Sequence, residues 1–456
     1  MNVIVPVEKG LEYTLEIVST GSEGEGVGKI DNFTVFVPGA IKGETVKVSI
    51  IKVTKNYSIG KIEEIITPSE NRVEPTCKIY KYCGGCNTQH IGYKAQLEMK
   101  RQKVEDAVRR IGKIEDIEIL PTIGMEDPLR YRNKVILPVG KDSDKVKIGF
   151  YAPRSHSIID MEVCDIQHII ADKVSFIVRK WATDNNIAIY NERAESGNLR
   201  NIMVRYGYTT KEAMVVIVTK EKKIKFMDKL VKDITEALPE VVSIIQNVNP
   251  KNTNVVLGKQ CKTIWGKDTI EDYVGDIKFS ISPLSFFQVN PVQTKTLYNK
   301  ALEFADLKGD EIVFDAYCGA GTISLFLAKK AKKVYGVEII EEAIENAKEN
   351  AKINSIENVE FFAGEAENII PKMIKEGIVP DVVVVDPPRK GCDVKLLDAI
   401  AKAAPKKIVY VSCDCSTLAR DMKVLTELGY SAEKVQPVDM FPMTSHVETV
   451  VKLIKK

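Results

Sequence analysis

Residues 312–322, Ile312-Val313-Phe314-Asp315-Ala316-Tyr317-Cys318-Gly319-Ala320-Gly321-Thr322, pass from a short apolar run into a glycine-containing loop and on toward a helix. Strand, glycine loop and helix in that order mark a doubly wound sheet. Ligands there sit beyond the carboxyl ends of the strands, and glycine lets them approach the backbone. The pattern is Gly-x-Gly, without the third glycine of a dinucleotide fingerprint, and no lysine follows as in a P-loop. Glu338 ends the next apolar run, about 20 residues on, where an acid accepts hydrogen bonds from ribose hydroxyls. Gly364-Glu365 follows the third run and is placed to meet an adenine.

Outward from this segment the pattern repeats. Apolar runs at 312–316, 333–337, 359–362, 382–386 and 408–412 alternate with helical stretches such as 323–331 and 341–353. Continuous apolar strands between helices predict a parallel sheet covered on both faces, an α/β fold. Asp386-Pro387-Pro388-Arg389 closes the fourth run, where two prolines remove backbone donors and stop the strand beside Asp386. Ser412-Cys413-Asp414-Cys415 closes the fifth. A cysteine at a strand end is either inert packing or a nucleophile, depending on access and thiolate fraction. His446-Val447-Glu448 precedes a last apolar run at 449–454, where desolvation would raise the Glu448 pKa and suit it to proton transfer.

The rest of the chain reads differently. Short β-branched runs at 11–18, 34–37, 45–53 and 57–65 are separated by Gly21, Gly24, Gly26 and Gly28, then by Pro38-Gly39 and Gly43, read as turns. They predict a small closed barrel of the oligonucleotide-binding type. A mixed α+β segment follows. It opens with Cys77-x5-Cys83-Gly84-Gly85-Cys86, with Cys164 as a later partner, a thiol set that suits zinc or an iron–sulfur cluster equally by type. The helix at 93–110 carries Lys94, Lys100, Arg101, Lys103, Arg109 and Arg110, read as a solvated face. Three segments result: a barrel at 1–67, a central domain at 68–285 and a Rossmann-like domain at 286–456.

Composition sets bounds on these readings. The 456 residues are too many for one core, and 44% are hydrophobic. No apolar run approaches the ~20 residues of a membrane span. Glu8, Glu12 and Glu16 argue against a signal peptide, so a cytoplasmic location is expected. A net charge of +2 does not by itself point to nucleic acid, so that case rests on local features such as Arg130, Arg132 and Lys134, candidates for phosphate contacts. Nine cysteines without an export signal favour thiols, metal ligands or a nucleophile over disulfides.

The motifs in combination resemble the bacterial RNA (uracil-C5)-methyltransferases, in particular the 23S ribosomal RNA branch with a TRAM domain and a [4Fe–4S] cluster. The resemblance spans nearly the whole chain and includes Phe286-Phe287-Gln288-Val289-Asn290 with the motifs already quoted. It implies that Gln288, Tyr317, Glu338 and Asp386 bind S-adenosyl-L-methionine, that Cys413 is the nucleophile and that Glu448 accepts a proton. It further implies that Cys77, Cys83, Cys86 and Cys164 hold the cluster, that Phe286 stacks near the target base, and that the helix at 93–110 packs on the catalytic domain. The expected substrate is 23S rRNA and the expected state a monomer without an obligate protein partner. Transfer RNA, cytosine-C5 methylation and a non-catalytic RNA-binding factor are the alternatives. One departure stands out: the family reads Ser-Cys-Asn-Pro where this chain has Ser412-Cys413-Asp414-Cys415. The lost proline predicts a looser loop and makes Cys415 a second candidate thiol.

Overall fold

The computed structural model describes residues 5–143 and 145–456. In the first domain, Glu12–Thr20, Gly26–Ile30, Phe33–Val37, Thr45–Val53 and Tyr57–Thr67 close into a five-stranded barrel. Alternate residues point inward, so Ile17, Val35, Val37, Val46 and Val48 form its dry centre. Gly26 and Gly28, expected in turns, lie instead within a strand. A methyl group at Gly28 would sit 2.5 Å from the Leu15 side chain and 2.6 Å from the Glu16 carbonyl oxygen. The barrel wall is too close there for any side chain, which is why glycine occupies a strand interior.

The central domain is a seven-stranded sheet built from strands between Lys134 and Gly266, with helices Ile169–Asp184 and Met227–Ala237 on one face. The strand Ala213–Thr219 is buried along its whole length. Val215 and Ile217 point into the helix-covered core. Met214, Val216 and Val218 point the other way, into a core shared with Leu297, Phe304 and Ile323 of the C-terminal domain. That alternation welds the two domains through one sheet.

The C-terminal domain is organised around an eight-stranded sheet. Ile312–Ala316, Lys333–Glu338, Val359–Ala363, Val382–Val385 and Lys407–Ser412 are parallel, with an antiparallel pair, Glu448–Lys455 and Tyr430–Val438, added at one side. Successive strands run outward from Ile312–Ala316 in one direction, then restart on its other flank with Val382–Val385. The crevice at this reversal is where doubly wound sheets bind ligands. The edge strand, Glu118–Ile119, comes from residues grouped by sequence with the central domain. They pair with Lys434 and Val435, beside the helix that precedes them.

That helix, Tyr93–Arg110, inserts Val104, Ala107 and Val108 into the core that also holds Leu418 and Met422. Three of its cations are tied to other elements rather than left to solvent. Arg101 donates to the Ile119 carbonyl from Nε (3.2 Å) and a terminal nitrogen (3.1 Å). Lys100 is fully buried and paired with the equally buried Asp439, which also accepts from Tyr93 Oη at 2.9 Å. Lys103 donates to the carbonyls of Ser22 (2.7 Å) and Ser445 (3.0 Å), joining the barrel to the loop before Glu448. Arg109 and Arg110 stay on the surface as expected and pair with Glu105 and Asp106. Replacing Lys100 by Met would leave the buried Asp439 charge without its counter-ion and with only the Tyr93 hydroxyl on its side chain, at a cost of about 3–5 kcal/mol. A lower urea midpoint is expected.

Candidate active site

The ends of the five parallel strands open on a cleft of about 1730 Å³. Gln288, Tyr317, Glu338, Asp386, Cys413 and Glu448 all border it, as does Phe286, which is 66% exposed. Tyr317 leaves its strand with a φ of 67°, a turn that few non-glycine residues adopt. The Glu338 carboxylate accepts from the backbone N–H groups of Gly319 (3.2 Å) and Ile340 (3.1 Å), which fixes two strand-end loops together. Ile339 and Ile340 stand more than half exposed beside it. An acid next to a bare apolar ledge fits an adenosine, with sugar hydroxyls on the carboxylate and the purine on the ledge. Asp315, behind them, is fully buried and borders the cleft, and one of its oxygens has no hydrogen-bond partner. That orphan acceptor fits the ammonium of an amino-acid moiety.

Three carboxyl groups crowd the cleft floor. Burial pushes Asp315 and Asp386 up to about 7. Glu448, only 5% exposed, is pushed up to about 8, first by burial and then by Asp386, with the Arg389 guanidinium opposing. The half-buried Cys413 thiol is pushed up to about 11 by burial, then by Glu448 and Asp386, and Arg389 again opposes. Cys413 and Glu448 are therefore neighbours in one electrostatic environment, and Arg389 is the cation that favours the charged form of both. Arg389 has no role assigned from sequence, although a cation set two prolines beyond the strand-ending Asp386 is a usable signal. Phe441 and His446 also line the cleft without having been singled out as site residues.

Cys415 does not reach this space. It starts the helix Cys415–Glu427 with its side chain in the hydrophobic core. Asp414 caps that helix, accepting from the N–H groups of Ser416 (2.9 Å) and Thr417 (3.0 Å). A carboxylate cap at this helix N-terminus ties the loop to the helix where the family has Asn-Pro.

Residues 92–456 match the tRNA (uracil-5-)-methyltransferase family, and residues 6–62 match the TRAM domain. The chain belongs to the tRNA (uracil-5-)-methyltransferase family. It is thus an enzyme, an RNA (uracil-5-)-methyltransferase with an N-terminal TRAM barrel, and S-adenosylmethionine is its methyl donor. It is 62% identical to an uncharacterized RNA methyltransferase of Clostridium tetani over 447 residues, covering 98% of this chain and 97% of that one. A similarly described Listeria monocytogenes protein is 51% identical, with 98% and 97% coverage. Among solved structures, the Pyrococcus abyssi tRNA (uracil-54, C5)-methyltransferase in complex with S-adenosyl-L-homocysteine aligns with a TM-score of 0.77. The two are 29% identical, and the alignment covers 96% of this chain and 99% of that one.

Two further parts of the methyltransferase bear on its site. Arg130, expected to contact phosphate, is committed elsewhere: it pairs with Asp172 at 2.6 Å and donates to the carbonyls of Cys164 (2.6 Å) and Gln167 (3.3 Å). Cys77, Cys83, Cys86 and Cys164 line one small recess with Tyr80 and Phe150, and all four are free thiols. Gly85 N–H donates to Cys83 Sγ at 3.3 Å, and Gln89 Nε2 to Cys86 Sγ at 3.4 Å. Burial raises all four thiols. No group of three or more His, Cys, Asp or Glu side chains among the described residues is arranged to hold a metal ion, so the iron–sulfur cluster expected from the sequence has the right donors but not a formed ligand set. No helix among the described residues is long and apolar enough to cross a membrane.

Proposed function

We propose that this enzyme methylates C5 of a uridine in 23S ribosomal RNA through a covalent bond from Cys413 to C6, acting as a cytoplasmic monomer. The observation that carries the reading is the pairing of Cys413 with Glu448 in one cleft, beside an acid and apolar ledge suited to adenosine. C5 of uracil is a weak nucleophile. The Cys413 thiolate adds at C6, and the electron pair of the C5–C6 double bond moves toward C5 and O4. C5 then attacks the methyl of S-adenosylmethionine, held by Gln288, Tyr317, Glu338 and Asp386; the sulfur–methyl bond breaks and S-adenosylhomocysteine leaves. Glu448 then removes the C5 proton, the double bond re-forms, and Cys413 leaves as thiolate. Phe286, exposed at the cleft edge, is the platform for a base lifted from its stack, a step costing about a few kcal/mol.

Support for ribosomal RNA lies in the TRAM barrel together with the four-cysteine recess. The Pyrococcus abyssi neighbour acts on tRNA, and transfer RNA is the second reading. Mapping 5-methyluridine at nucleoside resolution in ribosomal and transfer RNA, with and without the protein, decides between them. Loss of a ribosomal site is the expected result. Loss confined to tRNA overturns the substrate, and loss of 5-methylcytidine overturns the reaction.

Cys77, Cys83, Cys86 and Cys164 are proposed to hold a [4Fe–4S] cluster, a donor set of four thiolates such clusters require. Protein purified without oxygen should be coloured and carry about four irons per chain. Cys86→Ser should lose both. Colourless protein with stoichiometric zinc would exclude the cluster.

A further inference from the structure

Lys134 and Arg205 lie directly opposite each other on antiparallel neighbours of the central sheet. Arg132, two residues before Lys134, is close enough to act on it. Like charges facing each other across a sheet repel, and water does little to dilute this pair, since Arg205 is 4% exposed and Lys134 is half-buried. No carboxylate offsets the Lys134 or Arg205 charge among the described residues. Arg205 donates to the carbonyls of Pro283 (3.3 Å) and Ser285, and its Nε stays buried without a partner. The Nε of Arg132 is likewise buried and unpartnered, and its guanidinium stands 5.8 Å from the centre of the Phe441 ring. Burial and the two arginines press the Lys134 ammonium down to about 8, and burial presses Arg205 down to about 10.

A fold that sets a buried cation beside two half-buried ones bears a standing cost, which a nearby anion reduces. Position identifies the anion. Arg132, Ser285 and Phe286 border the same cleft as Cys413, and the loop that Arg205 grips is the one that presents Phe286. We propose that Arg132, on the wall of the cleft, with Lys134 and Arg205 behind it, attracts and holds a backbone phosphate of the substrate RNA beside the nucleotide being methylated. Guanidinium forks suit phosphate oxygens, and a phosphate clamped here gives the enzyme a fixed point about which to turn the base outward. The inference takes its ligand class from the RNA-methylation reading but does not depend on which atom is methylated.

Fluorescence anisotropy with a labelled oligouridylate, across a salt series and without turnover, tests it on the whole protein. Lys134→Met should weaken binding about tenfold at low salt. It should also flatten the slope of log affinity against log salt by about 0.7, the value for one phosphate contact on a single strand. Arg132→Gln should act in the same direction. The Lys134→Met protein should melt no lower than wild type, since a repelling charge has been removed. Unchanged affinity and slope overturn the proposal, as does a lowered melting temperature, which would mark Lys134 as structural. Calorimetry with S-adenosylmethionine should be unaffected, and a selective loss there would reassign the cluster to the donor's carboxylate. Should the uracil-C5 reading itself fail, 5-methyluridine mapping changes while the oligouridylate result stands.

Discussion

Cys413→Ala is expected to abolish methyl transfer, with a loss of about 10⁴-fold or more in single-turnover rate. No other thiol can take over. Cys415 is buried in the core, and Cys318 and Cys392, which border the cleft, are each only 5% exposed and raised by burial. RNA carrying 5-fluorouridine should form an adduct with wild type that survives denaturing electrophoresis, because fluorine at C5 blocks proton removal and the thiolate cannot leave. The variant should form none. Its affinity for S-adenosylmethionine by calorimetry should match wild type, which separates loss of the nucleophile from loss of the site. Equal trapping by the two proteins would remove Cys413 from the chemistry.

Glu448→Gln should have the opposite signature. Addition and methylation proceed, but no base removes the C5 proton, so the covalent complex accumulates on ordinary RNA and turnover falls by about 10²–10⁴. In wild type, Glu448 must be ionised to act, and its carboxyl is pushed up to about 8 by burial and Asp386. Release of product should therefore slow about tenfold per pH unit below about 8, and the glutamine variant should lose that inflection. Stability moves the other way. A carboxyl whose folded pKa lies above its unfolded value of 4.5 favours the fold while protonated. That advantage declines as pH rises from about 4.5 and is gone above about 8. The amide introduced by Glu448→Gln carries no charge to bury, so differential scanning calorimetry above about pH 8 should place the ligand-free variant a few degrees higher than wild type.

Much of the catalytic domain was legible because its information is local. Each strand from Ile312 to Ser412 is a compact apolar run, and the residue that matters comes at its end, where a glycine, proline or acid breaks the run. The residues that escaped notice are held by partners distant in sequence. Lys100 reads as one cation among six on a polar helix, and only its encounter with Asp439, 339 positions away, makes it buried. Gly26 and Gly28 read as turns because their crowding by Leu15, Ile17 and Ala40 exists only once the barrel has closed. Arg205 sits in a strand of eight buried residues and looks like an anomaly there until Lys134 is seen across the register. Arg130 and Arg132 are alike in sequence, but Asp172 claims one and leaves the other at the cleft.

The strand Ala213–Thr219, with side chains committed alternately to two cores, has a consequence for how this family can diversify. A recognition module joined to a catalytic one by a tether can be exchanged or lost, and the remainder still folds. Here the middle third of the chain supplies a wall of the catalytic interior, so cutting it away would bare Leu297, Phe304 and Ile323 to water. Change in RNA preference is thereby steered toward the barrel, the cysteine-bearing loop at 77–86 and the loops around the cleft, the parts that can vary without opening the enzyme's interior.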